Sequence, residues 1–452
     1  MTMWQPIINT EAGPRYIAIA NAIEGDVKQG RLAPGAQLPT HRDLAEMLGV
    51  TVGTVTRGYA EAARRGLLRG ETGRGTFIGG EASKTLLCHR EGLLPGVVDM
   101  SMTLPLYGQN PDLNEALRRI AMDPNTQRLL EYYPSNGRLV DRQAGVQWIT
   151  RYNLDVLAEN VAVTTGGQNA LAVVLSAMFR PGDTIAVEGI TYPFIKTLSR
   201  RFNVKLIPIG QDDNGMIPES LEAVCREHPI QGVYLMPTCQ NPTTTRIPEY
   251  RRQQIAAIAQ QHDLMIIEDD AYAQIAGNLG IPFAALAPER TFFIASMSKA
   301  VAGGLRVAYL ASPAIHTKTI ERALSDMVWM TPPLMAEVAR QWILEGTADQ
   351  TIIVKREEAR QRMDLTKKLL SGLDISFQKT GYYAWLKLPE PWTSGDFARV
   401  AKENDLLITT DETFAVGRTP LPHAVRLSLS GAVDHDELTR GLELIRTILG
   451  AS

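Results

Sequence analysis

From Val97 onward the chain alternates short apolar runs with helical stretches, and no other property of the sequence narrows its fold as far. Apolar runs stand at residues 161–164, 184–187, 204–208, 232–235, 264–267 and 291–294, with helical patterns at 170–179, 192–201 and 251–261 among them. Parallel strands need a crossover connection, usually a helix, so this order predicts an α/β body built on a large, mostly parallel sheet covered by helices. The C-terminal end reads differently. A long charged helix over 349–371 precedes strand patterns at 383–388 and 425–429, which predicts a small α+β lobe.

The first 80 residues follow another pattern. Between Arg15 and Gln29 the apolar residues Ile17, Ala20, Ile23 and Val27 recur three or four apart, as one face of a helix requires. A turn-rich stretch over 30–40 ends on Thr40, a good N-cap for a helix from about His41 to Leu48. Gly49 breaks that helix, and Thr51 opens another that runs through Thr54, Tyr59 and Ala63. Two short helices about a Gly-centred turn suit a helix-turn-helix. Residues 67–78 then predict a hairpin with a Gly-rich tip, the wing of such a domain. Residues 81–96 show no sustained period and include Gly92, Pro95 and Gly96, which predicts a linker. The expected organisation is a winged helix-turn-helix over 1–80, a linker over 81–96 and a body over 97–452. Within that body the large lobe is expected at about 150–330. The small lobe is expected at about 340–452, together with the segment after the linker.

Bulk properties exclude other classes. A chain of 452 residues is too long for one small core. No apolar run reaches the roughly 18 to 20 residues of a membrane span, and the N-terminus lacks a basic-then-apolar secretory pattern. Three scattered cysteines without a CxxC argue against a disulfide framework and for a reducing cytoplasm. The seven histidines are dispersed without metal-ligand spacing, so no metal is expected. The net charge is −3, but residues 1–80 carry +2 and the remainder −5, a mild basic bias at the end with the helix-turn-helix.

A specific chemistry is written into the body. Lys299 lies in Ser296-Met297-Ser298-Lys299, seven residues before the arginine of Gly304-Leu305-Arg306. Asp269 lies thirty residues upstream in Ile266-Ile267-Glu268-Asp269-Asp270-Ala271-Tyr272. A lysine can form a Schiff base, an aspartate can hold a pyridinium proton and an arginine can clamp a phosphate. Together they point to pyridoxal 5'-phosphate, PLP. Gly166, Gly167 and Gln168 follow Thr165 at a strand-to-helix junction, where backbone N–H groups and the helix dipole cradle phosphates.

On these motifs the chain from about residue 97 resembles fold-type I aminotransferases of class I/II, nearly end to end. The resemblance implies Lys299 as the Schiff-base lysine within a loop that includes Ser298, and Ser296 and Arg306 on the phosphate. It also implies Asp269 on the pyridine nitrogen, Tyr192 stacked on the ring, and Asn241 and Tyr272 on the phenolic oxygen. Arg426, in Val425-Arg426-Leu427-Ser428, matches the arginine that takes an amino-acid carboxylate, on the same side as Asn241. Tyr133, in Tyr132-Tyr133-Pro134-Ser135-Asn136-Gly137, matches the tyrosine that reaches a partner subunit's phosphate, with Tyr132 as the alternative; this implies a homodimer.

Residues 1–80 resemble the GntR-type winged helix on Leu38-Pro39-Thr40-His41-Arg42-Asp43-Leu44-Ala45, Gly49-Val50-Thr51, Thr54-Val55, Tyr59 and Gly73-Arg74-Gly75-Thr76-Phe77-Ile78. That implies double-stranded DNA as a partner. Arg42 and Thr54 would sit on phosphates, Thr51 and its successors in the major groove, and Arg74 at a minor groove. Arg57, Arg64, Arg65 and Arg69 look like further phosphate anchors. Val52 and Gly53 stand where relatives commonly carry Arg then Asn, so a common guanine reader is missing. The joined architecture resembles the MocR/GabR-type regulators of bacteria. It implies a PLP-dependent transcription regulator that senses an amino compound or PLP itself. The other possibility is a working aminotransferase that carries a DNA-binding head.

Overall fold

The computed structural model describes residues 4, 6, 14–28, 31, 32, 36–65, 67–71, 75–78 and 96–450. The expected linker, apart from Gly96, lies outside the described residues, and so does Arg74 at the tip of the wing. The chain divides into two compact units, Met1–Pro95 with Gly417–Pro420, and Gly96–Val416 with Leu421–Ser452.

In the first unit, helices Arg15–Lys28, His41–Leu48 and Val52–Arg64 are followed by an antiparallel pair, Leu68–Glu71 with Gly75–Ile78. The ends of the second and third helices are set by side chains and one glycine. Thr40 and Thr51 cap the second and third helices by accepting from the N–H groups of Asp43 and Thr54. Gly49 closes the second helix at φ 59°, a left-handed conformation that costs a glycine nothing. Ile19, Ile23, Leu38, Leu44, Val55, Tyr59, Leu68 and Ile78 form one apolar core, and the buried Tyr59 hydroxyl donates to the Pro39 carbonyl at 2.8 Å.

The second unit is organised by a seven-stranded sheet. Its order is Val161–Thr164, Ala308–Ala311, Thr291–Ser296, Met265–Asp269, Gly232–Leu235, Thr184–Glu188 and Lys205–Ile209. All neighbours are parallel except Ala308–Ala311, which runs antiparallel to both of its own. Successive side chains serve opposite faces, as the two-residue period demands. Ile185, Val187, Tyr234 and Ile267 join one core; Ala186, Val233, Leu235 and Ile266 join another. Burial on both faces explains why these strands read as continuous apolar runs.

A smaller four-stranded antiparallel sheet orders Ile375–Phe377, Tyr383–Lys387, Ala424–Ser428 and Thr409–Thr410. Val98–Asp99 pairs with Leu406–Leu407, so the chain begins this unit beside the small lobe. The helix Thr347–Leu369 packs against Pro333–Leu344 and Ala273–Ala276 as well as His435–Leu449, and so bridges the two lobes. Among the described residues no helix is long and apolar enough to cross a membrane.

Candidate functional site

Strands of an open α/β sheet present their carboxyl ends to ligands, and the sequence motifs gather there. Lys299 follows the strand Thr291–Ser296, and its Nζ donates to the Thr103 carbonyl at 2.6 Å. It lies 5.5 Å from the centre of the Tyr272 ring, and its own carbonyl accepts from the Tyr382 hydroxyl at 3.0 Å. Asp269 ends the strand Met265–Asp269 and accepts from the Tyr234 hydroxyl at 2.9 Å. Arg426 is buried on the strand Ala424–Ser428. Its Nη1 donates to Asn241 Oδ1 at 2.8 Å and its Nη2 to the Ser101 carbonyl at 2.6 Å, while the guanidinium lies over the Phe414 and Tyr383 rings.

A second group of residues stands beside these. Gly166 caps the helix Gly167–Met178 at φ 86°, and a Cβ there would lie 2.5 Å from Arg306 Nη2. Backbone conformation and space both select glycine at this position. Arg306 reaches the Thr165 carbonyl at 3.4 Å and Ser298 Oγ at 3.5 Å; Ser296 Oγ accepts from the Ser298 N–H at 3.2 Å. A Cβ on Gly167 would be 3.5 Å from that of Ser296. Gln168 Nε2 donates to the Tyr192 hydroxyl at 3.3 Å. A helix N-terminus, two serines and an arginine thus converge where a phosphate is favoured by hydrogen bonds and charge alike.

The electrostatics are those of a reactive amine. Burial, then the cations Arg426, Arg306 and Lys355, push the Lys299 ammonium down to about 7. Burial lifts the Asp269 carboxyl to about 6 against the hydrogen bond from Tyr234, with adjacent Asp270 adding to the rise. No cation among the described residues pairs with Asp269, and a protonated ring nitrogen is the partner such a carboxylate suits. Thr103 Oγ1, Thr165 Oγ1 and Arg426 Nε are buried polar atoms with bonding capacity to spare. This donor set fits a phosphorylated pyridine aldehyde together with a carboxylate-bearing amine.

Lys299, Asp269, Tyr272, Asn241, Arg426, Gly166, Gly167, Gln168, Tyr192, Ser296, Ser298 and Arg306 are therefore brought to one region. Tyr133 is not. Its hydroxyl donates to the Arg128 carbonyl at 2.8 Å and its ring faces the Arg138 guanidinium. Neighbouring Tyr132 is 81% exposed and meets Trp329 edge-on at 5.8 Å. Ser101, Thr103, Tyr234, Tyr382, Tyr383 and Phe414 were not foreseen. A tyrosine in the buried run 232–235 was the one available signal, since its hydroxyl must find a partner. The carbonyls of Ser101 and Thr103 leave no trace in sequence.

In the first unit Arg42, Thr51 and Arg57 are exposed on or beside the second and third helices. The Thr51 and Thr54 hydroxyls are 2.9 Å apart, so the cap occupies part of their hydrogen-bonding capacity. Arg65 is pinned by Glu61, Glu24 and Asn21, which removes it from the free phosphate anchors. The side chains of Arg64 and Arg69, like Arg74, lie outside the described residues.

Comparison with known proteins matches both units. Residues 15–78 match the bacterial regulatory proteins of the gntR family, and residues 95–445 match aminotransferase class I and II. The uncharacterized HTH-type transcriptional regulator YdeF of Bacillus subtilis is 31% identical over 446 residues, covering 99% of this chain and 96% of its own. The HTH-type pyridoxine biosynthesis transcriptional regulator PdxR of Corynebacterium glutamicum is 27% identical over 416 residues, covering 88% of this chain and 86% of its own. Among solved structures, the kynurenine aminotransferase of Pyrococcus horikoshii superposes with a TM-score of 0.72 at 24% identity. The match covers 78% of this chain and 91% of that one, and shows a shared fold.

Proposed function

Because this chain belongs to the MocR-type transcriptional regulators, which join a gntR-family DNA-binding domain to an aminotransferase class I and II domain, we propose that it holds PLP at Lys299 and adjusts its DNA binding to an amino compound or to PLP itself. The observation that carries the proposal is Lys299: a buried amine pushed down to about 7, next to a phosphate cradle and a carboxylate-binding arginine.

Bound here, PLP would supply an aldehyde that condenses with primary amines and a ring that draws electrons from them. The chain's own groups do the rest. The N–H groups of Gly167 and Gln168, with Ser296, Ser298 and Arg306, would bind the phosphate. Asp269 would hold the proton on the ring nitrogen, Tyr192 would cover the ring, and Asn241 and Tyr272 would orient the phenolic oxygen. Arg426 takes the carboxylate of the amino compound by a two-pronged bond, exchanging its bonds to Asn241 and the Ser101 carbonyl for that ligand. Lys299 would likewise give up its bond to the Thr103 carbonyl in holding the cofactor. Both exchanges act on residues 101–103, a few positions beyond the residues that join the two units in sequence. That gives the site a route to the DNA-binding head, a coupling between two sites through one element. PLP as effector is supported by the name of PdxR, which regulates pyridoxine biosynthesis.

DNA is read by the helix-turn-helix, with Arg42, Thr51, Thr54, Arg57 and Arg74 at the duplex, and a homodimer places two heads on paired half-sites. The exposure of Tyr132 supports it, rather than Tyr133, as the ring that reaches a partner subunit. A DNA-binding regulator of this kind works in the cytoplasm.

Buried Asp269 and Arg426 beside half-buried Lys299 also favour a second function, aminotransferase turnover. Visible absorbance of the PLP-treated protein during an amino-acid screen, followed by a steady-state assay with a keto acid, tests both. A regulator gives a spectral change with at most one half-reaction per chain. Sustained keto-acid production supports the aminotransferase, and no absorbance band at all contradicts both.

A further inference from the structure

The lobe-bridging helix Thr347–Leu369 buries a lysine that the function above does not use. Lys355 is fully buried, and its Nζ donates to the Val301 carbonyl at 2.6 Å and to Asn110 Oδ1 at 2.9 Å. Both partners are neutral. A buried ammonium without a carboxylate is costly, and burial pushes Lys355 down to about 8. A methionine fills the same space without that cost, so packing alone does not account for the residue.

Its two partners show what it holds together. Val301 lies two residues after Lys299, in the turn that carries the reactive amine. Asn110 lies seven residues after Thr103, whose carbonyl receives that amine. Lys355 therefore bonds both segments that meet at Lys299 Nζ. Resting on the assignment of Lys299 as the cofactor lysine, we propose that Lys355 is a positioning residue, a clamp between the Lys299 turn and the 101–110 segment that keeps the Lys299 amine in its working place and protonation state.

Three cations act on Lys299: Arg426 from the small sheet, Arg306 from the loop after Gly303–Leu305, and Lys355 from the long helix. The Tyr272 ring covers it, and the Tyr382 hydroxyl holds its carbonyl. Losing Lys355 removes one of the three like charges and loosens the burial. Both effects move Lys299 toward the behaviour of an ordinary lysine.

The test is the pH dependence of Lys299 acetylation by a small amine-reactive reagent, read by mass spectrometry on the full-length chain without PLP. Lys355→Met is expected to raise the midpoint by about one pH unit, which is about fivefold slower labelling at pH 7. Lys355→Gln keeps a donor for Val301 without the charge and is expected to fall between. An unmoved midpoint in Lys355→Met with native circular dichroism overturns the clamp. Should that variant fail to fold, Asn110→Ala, at an exposed position, cuts one tether and must still raise the midpoint; no rise there overturns the clamp equally. PLP uptake in the wild-type chain separates the two proposals. No uptake with a moved midpoint sinks the function and leaves the clamp, while uptake with an unmoved midpoint does the reverse.

Discussion

Lys299 is a lysine kept among cations. Burial and the charges of Arg426, Arg306 and Lys355 favour its neutral form, pushing it from an ordinary 10.5 to about 7. The capture of PLP by the cofactor-free chain should therefore plateau above about pH 7 and fall about tenfold per unit below it. Stopped-flow absorbance measures this, and an ordinary lysine would still be gaining rate at pH 9. The stability consequence has a definite sign. Between about 7 and 10.5 the unfolded chain holds a proton on this amine that the folded chain does not, so this group's contribution makes stability rise with pH across that window. Thermal denaturation of the cofactor-free wild type against Lys299→Met isolates that slope. Lys299, Asp269, Asn241 and Arg426 were legible because the chemistry demands those side chains in short motifs. Thr103 and Ser101 were not, because they act through carbonyls that every residue has. Lys355 was not, because a lysine in a charged helix reads as solvated until the fold buries it.

At the scale of elements, the junction between the strand Val161–Thr164 and the helix Gly167–Met178 is the tightest point of the site. Gly166→Ala places a methyl group 2.5 Å from Arg306 Nη2 on a backbone at φ 86°. The strain is roughly 1–3 kcal/mol, and it falls on the phosphate cradle. PLP affinity measured by fluorescence quenching should drop on the order of tenfold or more, while DNA binding without PLP is retained. Unchanged PLP affinity would remove this junction from the cradle.

Elements were legible where periodicity ran long enough. The strands at 161–164 and 232–235 stand where the apolar runs placed them, and the charged helix runs over Thr347–Leu369, two residues earlier than its pattern suggests. The antiparallel strand Ala308–Ala311 has no counterpart in the apolar pattern. Four residues with two alanines give little signal, and its place between Val161–Thr164 and Thr291–Ser296 is decided by partners far away in sequence. The helix-turn-helix was legible from its caps, since Thr40, Gly49 and Thr51 each have a local backbone duty.

At the scale of the molecule, the proposed function needs two heads and one switch. Leu130 and Tyr132 are more than four-fifths exposed, and Tyr132 lies against exposed Trp329. Apolar surface gathered in this way is what a second copy would cover. Leu130→Asp combined with Trp329→Asp should shift the sedimentation coefficient toward the monomer and weaken DNA binding by roughly a hundredfold through lost bivalency. A monomeric wild type, or a variant that remains dimeric, would count against that face. In the proposed function Lys299 links an amino compound to DNA. Its most direct test is fluorescence anisotropy of DNA selected by the chain from a random pool, titrated with PLP-loaded protein. The amino compound that alters the protein's absorbance should change the wild-type affinity at least about fivefold. Lys299→Ala should bind the same DNA and show no response to that compound; a full response in Lys299→Ala would contradict the account.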